Sequence, residues 1–107
     1  MELVDIAGPV HLHLSYRELY AVCPVTKARD KYTVELLLVS KGKKSIELRS
    51  LKEYFQKFRD IETLCENLAY KIMVDLSNLR IFSTVKVTLH QYADEAVKLT
   101  AQASYIE

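Results

Sequence analysis

Eight consecutive residues, Cys23-Pro24-Val25-Thr26-Lys27-Ala28-Arg29-Asp30, bring a thiol, two cations and a carboxylate into one short stretch. A residue before proline is driven toward extended backbone, which places Cys23 at a strand end or in a loop. A thiol there can face a cleft. Lys27, Arg29 and Lys31 put positive charge nearby in sequence, and cations favour thiolate, the nucleophilic form. Asp30 can exchange a proton with a reacting group once the chain folds back. Alone, the octet reads as a half-buried structural cysteine and a charged turn; residues further along change that balance.

At 107 residues the chain makes one domain, residues 1–107, with a modest core and little room for a deep pocket of its own. A site shared between subunits is therefore expected. Hydrophobic residues make up 50% of the chain and charged residues 27%, a globular composition that excludes a disordered chain. A net charge of +1 confines any nucleic-acid footprint to a local patch, or to one multiplied by assembly. Two cysteines without a C-x-x-C pair indicate neither a disulfide framework nor a structural zinc site. Met1-Glu2-Leu3-Val4-Asp5 has no basic or apolar leader character. No apolar run nears the ~20 residues that span a bilayer. A soluble, cytoplasmic protein is expected.

Several elements must position the octet. Val10 to Tyr16 alternates apolar and polar residues, the period of a half-buried strand, with His11 and His13 on its polar face. A metal there lacks a third ligand, so the pair reads as solvated. Arg17 to Val22 reads as an irregular connection. Tyr32 to Val39 is rich in strand formers and reads as a central strand. Ser40 to Lys44 is a polar turn around Gly42, and Ser45-Ile46-Glu47-Leu48 reads as the returning arm of a β-hairpin. Ser50, with Glu53 three residues on, reads as the N-cap of a capping box. Leu51, Tyr54, Phe55 and Phe58 then line one helical face. Beyond Arg59-Asp60, the residues Ile61, Leu64, Cys65, Leu68, Ile72 and Leu76 predict a longer helix ending near Ser77-Asn78, with Cys65 a small core side chain. Val85 to Leu89 and Val97 to Tyr105 alternate as two long strands, joined by a turn at Tyr92-Ala93-Asp94-Glu95. The expected fold is α+β, an antiparallel four-stranded sheet with two helices on one face. Its open edges predict that neighbouring copies continue the sheet.

Cys23-Pro24-x-Thr26 followed by Asp30 resembles the nucleophile loop of the QueF family, nitrile reductases that act on 7-cyano-7-deazaguanine. Glu47-Leu48-Arg49-Ser50-Leu51-Lys52-Glu53-Tyr54 is similar to that family's motif at the first helix. Phe58-Arg59-Asp60 and Cys65-Glu66 continue the likeness, in register from about Tyr16 to about Ile72. The resemblance implies the tunnelling fold (T-fold), whose units assemble as ring oligomers around a β-barrel, here paired pentameric rings, with active sites between subunits. Three positions depart from the reductases. Cys65 stands where they carry histidine, Arg49 where they carry lysine, and Glu53 where they carry an apolar residue. The motif holding Arg49 and Glu53 serves the nicotinamide cofactor in the reductases, and the chain has no G-x-G-x-x-G to hold a dinucleotide otherwise. This pattern is similar to the archaeal QueF-like branch, which makes archaeosine in transfer RNA by adding ammonia to the same nitrile.

The resemblance implies Cys23 as nucleophile and Asp30 as proton donor and acceptor. Cys23 would add to the nitrile carbon to give a thioimide, and ammonia would displace the sulfur to leave a formamidine. That chemistry needs no metal and no redox cofactor. Glu66 is assigned to the guanine-like edge, whose ring N–H and exocyclic amine suit a carboxylate, with Leu48, Arg49 and Ser50 completing the substrate pocket. The expected partners are transfer RNA carrying 7-cyano-7-deazaguanine, ammonia and further copies of the chain, with no membrane. Lys41, Lys43 and Lys44, with Lys27, Arg29 and Lys31, are candidate phosphate contacts. Two rivals stand beside this reading. One is an NADPH-dependent reductase of the free nitrile base, opposed by Arg49, Glu53 and Cys65. The other is a non-catalytic ring-forming binding module, opposed by the joint presence of Cys23 and Asp30.

Overall fold

Two-residue alternation of apolar side chains builds four long strands: β2 (His11–Val22), β3 (Arg29–Ser40), β5 (Phe82–Tyr92) and β6 (Lys98–Ile106). In the computed structural model, which describes residues 1–92 and 96–107, they pair antiparallel in the order β2-β3-β5-β6. Two short strands, β1 (Leu3–Asp5) and β4 (Lys44–Ile46), make a separate two-stranded sheet. Helices α1 (Leu48–Gln56) and α2 (Cys65–Ser77) supply the second layer. Leu19, Val34, Leu38, Val85, Val87 and Leu89 from the sheet meet Phe55, Leu68, Ile72 and Leu76 from the helices in one buried core. Truncating such a leucine to alanine typically costs about 2–5 kcal/mol. Among the described residues no helix is long and apolar enough to cross a membrane.

Side-chain contacts lock the helices to each other and to the sheet. The Tyr16 and Phe55 rings stack with centroids 5.1 Å apart, and Tyr54 meets Phe58 edge-on at 5.2 Å. The Tyr54 hydroxyl donates to the Asp75 carboxylate at 2.6 Å, and Lys71 holds the other oxygen of that carboxylate at 3.0 Å. Burial, followed by this bond to Asp75, pushes the Tyr54 phenol well above its ordinary value. The opposite sheet face is polar. There His90 approaches Glu35 at 3.4 Å, and the Gln102 amide donates to the Thr88 hydroxyl at 3.2 Å. His11 and His13 are exposed.

The four-stranded sheet with its two helices agrees with the sequence expectation, but several local features differ. Strand β2 continues through the supposed connection to Val22, because a β-bulge between Tyr16 and Leu19 absorbs the broken alternation. Strand β4 does not return along β3; it pairs with β1, with Leu3 opposite Ile46. Gly42 has φ 109, and a side chain there would meet Pro9 at 3.1 Å. Ser40 accepts the Gly42 amide at 2.9 Å, turning the chain out of the main sheet. The N-cap of α1 is Glu47, whose carboxylate accepts the amides of Arg49 and Ser50. Ser50 lies inside the helix, donates to the Glu47 carbonyl at 2.8 Å and accepts the Glu2 amide at 2.9 Å. Helix α2 begins at Cys65, and Ile61 and Leu64 lie exposed outside it. The expected turn at Tyr92-Ala93-Asp94-Glu95 falls partly outside the described residues.

Candidate active site

The loop that carries Cys23 is a tight bridge between β2 and β3. Val22 pairs with Arg29, the Cys23 amide donates to the Ala28 carbonyl at 2.8 Å, and the Lys27 amide returns to the Cys23 carbonyl at 2.8 Å. Closing so short a loop puts Lys27 in the left-handed region, φ 63. The Thr26 hydroxyl accepts the Ala28 amide at 3.2 Å. Cys23 is a free, half-buried thiol. The amide of Thr26, then its hydroxyl, then the amide of Val25 hold that thiol below its ordinary value, while partial burial and Asp30 oppose them. Hydrogen-bond donors stabilise thiolate, so the loop itself favours the reactive form of this thiol.

A second strip of chain docks against this loop. The Val22 amide donates to the Ile61 carbonyl at 2.9 Å, and the Thr63 amide to the Val22 carbonyl at 3.0 Å, a parallel bridge between Val22 and Glu62. Lys27 pairs with Glu62 at 2.7 Å and Arg29 with Asp60 at 2.6 Å. Arg29 also donates to the Arg59 carbonyl at 3.2 Å. Those exposed pairs contribute little to stability, but they fix where α2 starts. Its first two residues, Cys65 and Glu66, follow directly.

Asp30 sits opposite Ala21, on the core-facing side of the sheet, with Tyr32 two residues on and opposite Leu19. Cys65 is buried, and burial, then Glu66, then Asp30 push its thiol up to about 11. Both carboxylates therefore act on one buried sulfur at the start of α2. Glu66 is exposed in the first turn, where the helix dipole favours a carboxylate. The chain thus gathers Cys23, Asp30, Cys65 and Glu66 at one end of the sheet. Tyr32 belongs to the same group and was overlooked in the sequence, although its two-residue spacing from Asp30 put it on the same face. Glu62, the partner of Lys27, carries no sequence signal.

Leu48, Arg49 and Ser50 lie elsewhere. Leu48 lines a cleft of about 190 Å³ with Leu14, Tyr16, Lys52 and Phe55, and a neighbouring cleft of about 320 Å³ runs past Tyr16 and Phe55 to Tyr20 and Arg59. The side chain of Arg49 is exposed, while its amide is taken by Glu47. From Tyr16 to Cys23 along β2 is roughly 20 Å at the usual strand rise. Within one chain, then, the thiol end and the α1 end lie apart.

The fold is the tunnelling fold, that of a crystal structure of the archaeosine synthase QueF-Like in its apo form. The likeness has a TM-score of 0.72 at 22% identity and covers 94% of this chain and 95% of that one. The sequence matches no protein-family model. It is 31% identical to the NADPH-dependent 7-cyano-7-deazaguanine reductase of Thermotoga petrophila over all of this chain and 79% of that enzyme. It is 33% identical to that of Pelodictyon phaeoclathratiforme over 98% of this chain and 92% of that enzyme. The chain belongs to the QueF family of 7-cyano-7-deazaguanine reductases and their relatives.

Proposed function

We propose that the chain adds ammonia to the nitrile of 7-cyano-7-deazaguanine in transfer RNA, forming the formamidine of archaeosine. The observation that carries this reading is the convergence of a thiol held toward thiolate, Cys23, with Asp30 and the first turn of α2 bearing Glu66. Cys23 thiolate adds to the nitrile carbon; a C–S bond forms, one C–N π bond breaks, and the nitrogen takes a proton from Asp30. Ammonia adds to the thioimide carbon and yields a proton to Asp30. Collapse of the adduct breaks the C–S bond, returns the thiolate and leaves the amidine. Glu66 accepts hydrogen bonds from the guanine-like edge and orients the base. Leu48 and Arg49 are supplied by a neighbouring copy, since they lie far from Cys23 in their own chain. The Ser50 hydroxyl, engaged by Glu2 and Glu47, supports the pocket wall. The base must swing out of its RNA stack to reach the thiol.

The second reading is NADPH-dependent reduction of the free base, favoured by the names of the relatives at 31% and 33% identity. The donor set on α1 fits that cofactor poorly. Arg49 and Glu53 are both exposed, four residues apart on one helical face, so a carboxylate faces the cation that a dinucleotide phosphate would need. One assay separates the readings. Incubation with ammonium and transfer RNA carrying the nitrile base should give a formamidine nucleoside by mass spectrometry. Incubation with NADPH and the free base should leave the NADPH absorbance unchanged. Steady NADPH loss that depends on Cys23, without amidine, would establish the reductase instead.

A further inference from the structure

Tyr32 is 2% exposed, yet its hydroxyl makes no hydrogen bond among the described residues. No side-chain polar atom of those residues is sealed from solvent without a partner, so the unbonded hydroxyl is the part of Tyr32 that reaches the surface. Its ring is anchored on β3 opposite Leu19 and shares a sheet face with Ala21 and Asp30. Burial raises its phenol well above the ordinary value, and the charges of Asp30, Cys65, Cys23 and Glu66 add to that. The ring is buried on the sheet face that carries Asp30, two residues away, and its hydroxyl stays neutral.

We propose that the Tyr32 hydroxyl is a catalytic residue of this site, donating a hydrogen bond to the nitrogen that gains charge as Cys23 adds to a nitrile. The proposal rests on the nitrile reading of the site, and on the addition step common to amidine formation and reduction. In that step the C–N π pair moves to nitrogen and Asp30 delivers the proton. Tyr32 keeps its own proton, because so weak an acid can donate a hydrogen bond but not lose it at neutral pH. A fixed donor aimed at developing charge needs no reorganisation during reaction, and losing one typically costs about 100- to 1,000-fold. Folding does not need the hydroxyl, since it bonds nothing among the described residues.

Tyr32→Phe removes that oxygen and leaves the buried ring. Three measurements compare it with the wild type: thermal melting, alkylation of Cys23 by iodoacetamide, and formation of the covalent adduct with 7-cyano-7-deazaguanine, both free and in transfer RNA, followed by intact mass. Melting should be unchanged or slightly raised and alkylation within about twofold, while adduct formation slows by about 100-fold. An adduct rate within twofold of the wild type would overturn the role of Tyr32 and leave the nitrile reading standing. A wild type whose thiol alkylates normally but forms no adduct would overturn the nitrile reading, and the proposal with it. A marked drop in melting temperature would show that the hydroxyl serves the fold.

Discussion

The two cysteines are opposite cases of one physical chemistry. Cys23 meets amides and a hydroxyl, which favour its thiolate; Cys65 meets burial and two carboxylates, which favour its thiol. Alkylation of Cys23 should therefore reach its half-maximum below the ordinary thiol value of 9.0, whereas Cys65 should stay protonated until pH nears about 11. Mass spectrometry after a short iodoacetamide pulse at neutral pH should find one label on the wild type and none on Cys23→Ala. Labelling of Cys65 first would reverse the assignment of the nucleophile. Cys23 and Asp30 stood out in the sequence because a proline and a charged turn mark their surroundings locally, whereas Glu66 came only through the family resemblance, since the helical period ran on from Ile61. Tyr32 did not, since a tyrosine inside a strand pattern looks like core until its hydroxyl is found without a partner among the described residues.

Helix starts are set here by groups that periodicity does not register. The sequence offered Ser50 and Glu53 as a capping box, but the serine is drawn inward to bridge Glu2 and Glu47, and the cap passes to Glu47. Glu47→Ala should lower stability by ~1 kcal/mol, read as a fall of a few degrees in melting temperature. Glu53→Ala should leave it nearly unchanged; equal losses would restore the capping box. At α2 the error had a different cause. Ile61 and Leu64 fit the helical period, but Ile61 to Thr63 hydrogen-bond along the edge of β2 at Val22, a tertiary pairing no local pattern announces. With α2 starting at Cys65, Glu66 falls in its first turn, four residues beyond the Glu62 that bridges to Val22. The missed hairpin has the same origin: β4 finds its partner in β1, some forty residues away in sequence.

The four-stranded sheet ends in two edge strands, β2, whose outer side is bridged at Val22, and β6, and the thiol end lies roughly 20 Å along β2 from the α1 end. Open edges of that length invite pairing with another copy, and pairing β2 of one chain to β6 of the next is a head-to-tail contact that repeats until it closes. Exposed Tyr105 and Ile106 at the end of β6 give such a contact apolar surface to bury. Sedimentation at micromolar concentration should find an assembly and not a monomer. If the assembly joins the thiol end of one chain to the α1 end of its neighbour, two defective variants should repair each other. Cys23→Ala lacks the proposed nucleophile and Arg49→Glu lacks one of the two α1 cations, so each alone should be nearly inactive in forming the amidine. Mixed, dissociated and reassembled, some interfaces would pair an intact thiol with an intact Arg49, and about a quarter of wild-type activity should return for random pairing. Recovery no greater than the sum of the separate variants, in a mixture that has exchanged subunits, would place the whole site within one chain.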